Sequence, residues 1–149
     1  MGMYCVGTKN QTFKSQPLAN TWILGGKSQI DWKIGGGVFS NGILCWIGNR
    51  NNQFGPLKLP YDLTTAGAPN CVIYSNILMT TVAAKPGVLA SFGTIPNDIN
   101  LIGVTLYHQA VGPEPGANAL NLIFGPAFSI EIRSNSTPAT ANRCAGQER

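Results

Sequence analysis

The chain contains few charged residues: Asp, Glu, Lys and Arg make up only 11% of its 149 residues, against about 25% in an average soluble domain. Hydrophobic residues make up 44%, which excludes a disordered chain, because such chains combine high charge with low hydrophobicity. No apolar run reaches the roughly 18 residues that a membrane-spanning helix needs. We therefore expect a single globular domain without a membrane-spanning segment.

Clusters of basic residues are also missing. The net charge is +4, but the ten Lys and Arg residues are scattered along the chain. Proteins that bind nucleic acids need a clustered basic stripe to displace the counterions of the phosphates. The sequence therefore predicts no nucleic-acid partner.

Groups for catalysis are scarce. His108 is the only histidine, so a hydrolase with a Ser–His–acid relay would depend on it, and no G-x-S-x-G motif accompanies it. Alternation over residues 104–111 places His108 on the same strand face as Leu106 and Ala110, which favours a structural role in a sheet. The six carboxylates lie far apart in the sequence, so no glycosidase pair is indicated. We expect neither enzymatic activity nor a cofactor.

Two local patterns imitate ligand sites. Gly25-Gly26-Lys27-Ser28 imitates the end of a phosphate-binding loop, but Thr21 occupies the place of the first glycine of that motif and no helix signal follows. A turn between strands explains this pattern better. Asp62 and Asp98 fall in predicted loops, where their oxygens would either bind calcium or accept hydrogen bonds within the turns.

The four cysteines form no C-x-x-C pair, and with a single histidine a structural zinc site has few ligands. Two disulfides are the favoured interpretation, and four cysteines allow three connectivities. Cys45 and Cys71 each lie in an apolar segment and would bridge two strands. Cys5 and Cys144 lie near the termini and would tie them together. The alternative is four buried free thiols.

Disulfides favour an extracellular or cell-surface protein. Two N-glycosylation sequons, at Asn10 and Asn135, agree with a secreted glycoprotein. The first residues show no basic stretch followed by an apolar run. A secretory signal is therefore either outside this numbering or absent because the chain is not secreted.

Alternation with a period of two dominates the middle of the chain. In residues 29–34, Ile30, Trp32 and Ile34 share one face, as in a half-buried strand. Residues 43–47 form a continuous apolar run between two glycines, typical of a strand covered on both faces. Further strands are predicted at residues 20–24, 71–74, 78–83, 88–93, 104–111 and 127–132.

Turn residues separate these segments, and the chain contains 18 glycines and 10 prolines. Only residues 97–101 and 116–120 leave room for a helical turn. The sequence predicts an all-β fold: an antiparallel β-sandwich, jelly-roll-like, over residues 17–133. Residues 1–16 and 134–149 lack alternation and are predicted to be extended N-terminal and C-terminal arms, each with one cysteine.

Several motifs in the predicted sandwich occur in the order of a known domain family. They are LPYDLT at 59–64, GAPNC at 67–71, IPND at 95–98, LIGVTLY at 101–107 followed by QA at 109–110, and PGANAL at 115–120, with PLAN at 17–20 and WIG at 46–48 before them. This set resembles a β-sandwich domain of secreted and surface proteins of bacteria such as planctomycetes and myxobacteria, often found at their C-termini. The resemblance covers about residues 17–133.

The resemblance implies export, an all-β fold and a structural or adhesive role, with no catalytic residues to assign. The domain usually follows a larger protein, whereas here it takes up nearly the whole chain, which favours a subunit that acts by itself. Low charge leaves little repulsion between copies, and sheet edges can pair with an extended segment of another chain. We expect a non-enzymatic extracellular subunit that associates with copies of itself into a fibre or surface assembly.

A carbohydrate-binding or adhesive module of the cell surface is the first alternative, and a hydrolase the second. Glycan binding would need Trp22, Trp32 and Trp46 on an exposed platform. Alternation and the apolar run instead favour a core position for Trp32 and Trp46.

Overall fold

The computed structural model describes residues 12–18, 21–35, 42–83, 89–125, 127–134 and 141–143, and over these it is built from β-strands and two short 3-10 helices, Thr64–Ala66 and Ile99–Leu101. The strands, in chain order, are β1 Thr12–Pro17, β2 Lys27–Gly35, β3 Ile43–Gly48, β4 Gln53–Phe54, β5 Leu57–Lys58, β6 Tyr61–Asp62, β7 Val72–Ile73, β8 Met79–Ala83, β9 Ala90–Thr94, β10 Thr105–Pro113, β11 Leu122–Phe124, β12 Phe128–Glu131 and β13 Ala141–Arg143. Neither 3-10 helix is long or apolar enough to span a membrane, and the described residues include no other helix.

The strands form two main antiparallel sheets and two small ribbons. The smaller sheet has the order β1–β2–β9, and the larger has the order β13–β12–β10–β3–β8, with β11 paired to β10. The ribbons are β4–β5 and β6–β7. All these strand pairs are antiparallel, so the predicted all-β class is confirmed.

One hydrophobic core lies between the two sheets. Ile30 of β2 and Ala90 of β9 contribute to it from the smaller sheet, and Ile43 of β3, Ala110 of β10 and Ile130 of β12 from the larger. All five are at most 1% exposed. Burial of such side chains stabilises a fold by about 1.5–3 kcal/mol each for the larger ones, and two sheets that share this core form a sandwich.

The alternation and the apolar run located the central strands. β2 contains the predicted segment 29–34, and β3 contains the segment 43–47. β3 is buried at every position except Leu44. The 3-10 helix Ile99–Leu101 lies within the predicted turn 97–101, and the side chain of Asp98 caps it by accepting a hydrogen bond from Asn100 N.

Two segments differ from the prediction. Residues 21–24 form a turn with one isolated bridge instead of a strand, because Trp22 has a φ of 66°, a left-handed conformation that no strand residue adopts. The indole of Trp22 donates to Gln29 O at 2.9 Å, which fixes this turn on β2. Residues 116–120 form turns and no helix.

The segments predicted to be arms contribute to both sheets. β1, in residues 12–17, pairs with β2 at the edge of the smaller sheet. β13, in residues 141–143, pairs with β12 at one edge of the larger sheet. Residues 1–11 and 144–149 lie outside the described residues.

Candidate association surface

The outer face of the larger sheet, which points away from the core, is covered over β10. Gln109 lies on this face opposite Trp46 of β3 and is fully buried. Its side-chain oxygen accepts from Tyr74 N at 3.0 Å, and its amide nitrogen donates to Val72 O at 2.7 Å and to Gly125 O at 3.1 Å. These bonds hold the segment around β7 against the sheet, as a buried polar side chain requires.

Trp46 belongs to the same covered area. Its indole N–H donates to Ser75 Oγ at 3.0 Å, and its ring meets Phe124 edge to face at a centroid distance of 6.3 Å. Only 2% of Trp46 is exposed. The cover therefore extends from β10 to the middle of β3.

Asn76 ends the cover and directs the chain into β8. Its side-chain oxygen accepts from Arg50 N at 2.8 Å, and its amide donates to Asn49 Oδ1 at 2.9 Å. The Asn76 backbone passes so close to Gly48 that a Cβ on Gly48 would stand 2.0 Å from Asn76 O. Only glycine allows this approach, which fixes the position at which β8 joins β3.

β8 is the last strand at its end of the larger sheet, and no described strand pairs with its other side. Val82, opposite Leu44 of β3, is 66% exposed, and Leu78 and Met79 are 59% and 49% exposed. Leu44, Leu78 and Val82 form a surface that we call the β8 patch, whereas Met79, opposite Ile47, lies on the core side of the strand. Contiguous exposed apolar side chains of this kind are typical of interaction sites, whereas single ones are common everywhere.

The strands that carry the β8 patch contain no charged residues, and the nearest described charge is Arg50, beside Asn76. β3, β8 and β10 contain no Asp, Glu, Lys or Arg, and neither does the segment 63–84. β8 also contains no proline and pairs with β3 in an uninterrupted register. Charged side chains, prolines and bulges are the devices that keep sheet edges from pairing with other chains, and β8 has none of them.

His108 lies on the opposite, inner face of β10 and is fully buried. Its Nδ1 lies 3.2 Å from Trp46 O, so Nδ1 carries the proton and donates to this carbonyl. The ring packs against Phe128 and Phe92 at centroid distances of 4.8 and 6.3 Å. Burial lowers the pKa of His108 to about 3, and the bond to Trp46 O opposes this only in part.

A relay histidine needs a nucleophile hydrogen-bonded to its other nitrogen. Nε2 of His108 is buried and has no hydrogen-bond partner in the described part of the chain. The arrangement is that of a neutral core side chain, as the strand alternation predicted.

The other imitations of ligand sites are local turns. The carboxylate of Asp62 accepts hydrogen bonds from Thr64 N, at 2.8 Å, and from the Thr64 hydroxyl. These two bonds lower the pKa of Asp62. Asp98 accepts from Asn100 N at 2.9 Å. Gly25 and Gly26 form the turn before β2. Within the described ranges no three His, Cys, Asp or Glu side chains come together as metal ligands.

The predicted Cys45–Cys71 disulfide is wrong. Cys45 is a buried free thiol on the core side of β3, where burial raises its pKa to about 12. Cys71 is disulfide-bonded, and because Cys45 is free, the partner of Cys71 is outside the described residues. The predicted Cys5–Cys144 pair and the sequons at Asn10 and Asn135 also lie outside them.

The predicted tryptophan platform is not formed by Trp22 and Trp46, which are 0% and 2% exposed. Trp22 is held by the smaller sheet and Trp46 by the cover over the larger one. The side chain of Trp32 lies outside the described residues. No exposed aromatic surface for a glycan is therefore built from the two described indoles.

Sequence reasoning missed the β8 patch as a site. The alternation identified a strand at 78–83 but could not tell which side of the sheet its neighbours would leave open. One signal was available: the absence of charge from 63 to 84, which is unusual for an edge strand in contact with water.

No protein-family model, no curated protein and no solved structure matches this chain.

Proposed function

We propose that this protein is a non-enzymatic structural subunit that associates with copies of itself outside the cell, as part of a fibre or surface assembly. The observation that carries the proposal is the β8 patch: an apolar, uncharged strand at the edge of a sheet. A subunit of an assembly needs such an edge, and a protein that acts as a monomer normally protects it.

The edge at β8 combines backbone groups with apolar side chains. No described strand pairs with the side of β8 that faces away from β3, although β9 of the smaller sheet lies near β8, and the β8 patch adds apolar side chains to this edge. Strand addition uses both: the main chain supplies affinity, and alternate side chains supply specificity. Copies of a chain with a net charge of only +4 repel each other weakly.

The extracellular part of the proposal is supported by the oxidised state of Cys71, because disulfides persist in oxidising compartments. The sequons at Asn10 and Asn135 and the resemblance to exported bacterial sandwich domains agree with it. Peptide mapping of non-reduced protein tests this directly. We expect Cys71 linked to Cys5 or Cys144, and Cys45 alkylated only after unfolding. A bridge at Cys45, or a reduced Cys71 in native material, would contradict the expectation.

Association itself is tested on the purified chain. Sedimentation velocity over a wide concentration range should show a mass that rises with concentration, and negative-stain microscopy at the highest concentration should show ordered assemblies. Monomers at every concentration, with no assemblies on the grid, would refute the proposal.

A further inference from the structure

We propose that β8 pairs with β8 of a second copy, antiparallel and across a two-fold axis at Thr80, so that the larger sheets of two subunits become one continuous sheet. The inference rests on the proposed function and names the partner of its surface. Three features of the described residues carry it: the open edge, the arrangement of side chains along β8, and the absence of charge.

Thr80 lies between the two most exposed apolar side chains of this edge, Leu78 and Val82. Thr80 and Val82 lie on the outer face, since they pair with the outer-face residues Trp46 and Leu44 of β3. Leu78 lies in the bend just before the strand and is 59% exposed. An antiparallel copy centred on Thr80 brings Val82 of each chain next to Leu78 of the other, and these are the two most exposed apolar side chains of the β8 patch.

This register joins apolar to apolar side chains twice and places Thr80 against its own copy. Directly opposed apolar and β-branched side chains each stabilise an antiparallel pair by roughly 0.2–1 kcal/mol. Moving the axis by one residue would bring Thr81, which is half-buried on the core side, to the axis and pair Val82 with Thr80 of the other copy instead of bringing it next to Leu78. The exposed side chains therefore select the register centred on Thr80.

The missing charge explains why the partner is a second copy. Pairing a strand with itself brings identical residues close together, so one Lys or Glu near the axis would create a like-charge repulsion. None exists on β8 or on β3 beside it. The patch likewise offers no charge that would recruit a basic or acidic partner, and it matches best a surface with the same neutral, apolar character.

The contact between the two β8 strands is small, and it joins only two subunits. Five residues in a strand span about 17 Å, so the pairing forms only a few hydrogen bonds and gives a weak dimer. An isologous contact ends with two subunits. Within a larger assembly, the β8 pair is thus the repeating dimer, and further growth uses other surfaces.

Two lysine variants test the surface. Val82→Lys places a charge in the proposed contact, and Ile99→Lys is its control, because Ile99 is 75% exposed in the 3-10 helix and outside the β8 patch. We expect Val82→Lys to weaken dimer formation in sedimentation velocity by about tenfold or more, since each dimer then buries two lysines in an apolar contact. Ile99→Lys should associate like the wild type. Circular dichroism verifies that both variants are folded.

Two cysteine variants test the position of the axis. The wild-type chain is oxidised in parallel, to show how much covalent dimer its own four cysteines form. Opposed residues of an antiparallel pair have Cα atoms about 4.5–5.5 Å apart, within the range of a disulfide. Thr80→Cys should therefore form a covalent dimer under mild oxidation. Val82→Cys is the control on the same face: its two copies would lie about 13 Å apart along the strands, too far to bridge.

The outcomes separate the two proposals. If the wild type is monomeric, both fail. If Val82→Lys associates as well as the wild type, the subunit proposal stands and the β8 pairing is overturned. If Val82→Lys is monomeric but Thr80→Cys does not cross-link, or Val82→Cys cross-links instead, pairing about Thr80 is wrong. Cross-linking of Thr80→Cys alone, together with loss of the dimer in Val82→Lys, supports the inference.

Discussion

β10 and β8 lie on either side of β3 in the same sheet, and neither contains a charged residue. β10 is buried from His108 to Gly112, and the side chain of Gln109 is matched by backbone groups of the cover. In β8, Met79 and Val82 are 49% and 66% exposed, and Leu78 just before the strand is 59% exposed. The same lack of charge thus serves two purposes: in β10 it suits burial within one chain, and in β8 it leaves an edge suited to a second chain.

β10 and β8 also differ in how many of their hydrogen-bonding groups have partners within the described chain. Gln109 of β10 satisfies three backbone groups from two other segments, so the centre of the sheet is complete. β8 pairs on one side only in the described chain. Changes in β10 should therefore affect folding, and changes in β8 should affect association with little effect on folding.

The largest effect is expected for Gln109→Met, which keeps the size of the side chain but removes its amide. Buried backbone groups that lose a partner cost about 1–3 kcal/mol each, so the free energy of unfolding should fall by about 3–5 kcal/mol. Gln53→Met is the matched control: Gln53 is exposed and makes one bond, to Gly55 O at 3.0 Å. Urea unfolding of both variants measures the difference in their free energies of unfolding. If both lose the same amount relative to the wild type, the cover does not depend on Gln109.

A change of pH should destabilise the same strand through His108. Its pKa is about 3 in the fold and 6.5 for an ordinary histidine, so the neutral form is favoured by folding. The resulting stability is fully present above pH 6.5 and is lost as the pH falls towards 3, at about 1.4 kcal/mol per pH unit.

The range from pH 6.5 to 4.5 separates this effect from that of Asp62. The pKa of Asp62 is lowered from 3.8, so its contribution to the free energy of unfolding is lost only below that range. Chemical unfolding across the window should give a loss of about 2–3 kcal/mol. His108→Leu should remove the slope whatever its own stability. A slope that persists in His108→Leu would assign the pH dependence to other groups.

The smallest effect is expected for Val82→Thr in β8. Surface substitutions of this kind change the free energy of unfolding by less than about 0.5 kcal/mol, because Val82 is 66% exposed in one chain. Urea unfolding at a concentration where the chain is monomeric measures it. A loss above about 1 kcal/mol would mean that Val82 already packs within its own subunit.

The sequence predicted those parts of the fold that depend on local pattern. Alternation identified β2 and β12, and the apolar run identified β3. The segment at 20–24 was mistaken for a strand because its residue types suit one, whereas the backbone turns at Trp22 to place the indole on Gln29 O. That contact comes from tertiary packing, which no local pattern contains.

The candidate functional residues could be predicted from the sequence to different degrees. The burial of His108 in a sheet followed from alternation, whereas turn chemistry left both calcium binding and turn hydrogen bonds open for Asp62 and Asp98. The burial of Gln109 depends on Val72 and Tyr74, more than thirty residues away, so its own neighbours in the sequence do not indicate it. The exposure of β8 likewise depends on where the cover ends, at Asn76 and Gly48.

Hydrogen exchange of the wild-type chain at low and high concentration tests most directly whether β8 is an edge that a second copy completes. Peptides from β10 should be protected equally at both concentrations, and peptides covering 79–83 should gain protection only at the concentration where dimers form. If 79–83 exchanges at the same rate in monomer and dimer, the β8 edge is not the contact between copies, and the account is contradicted.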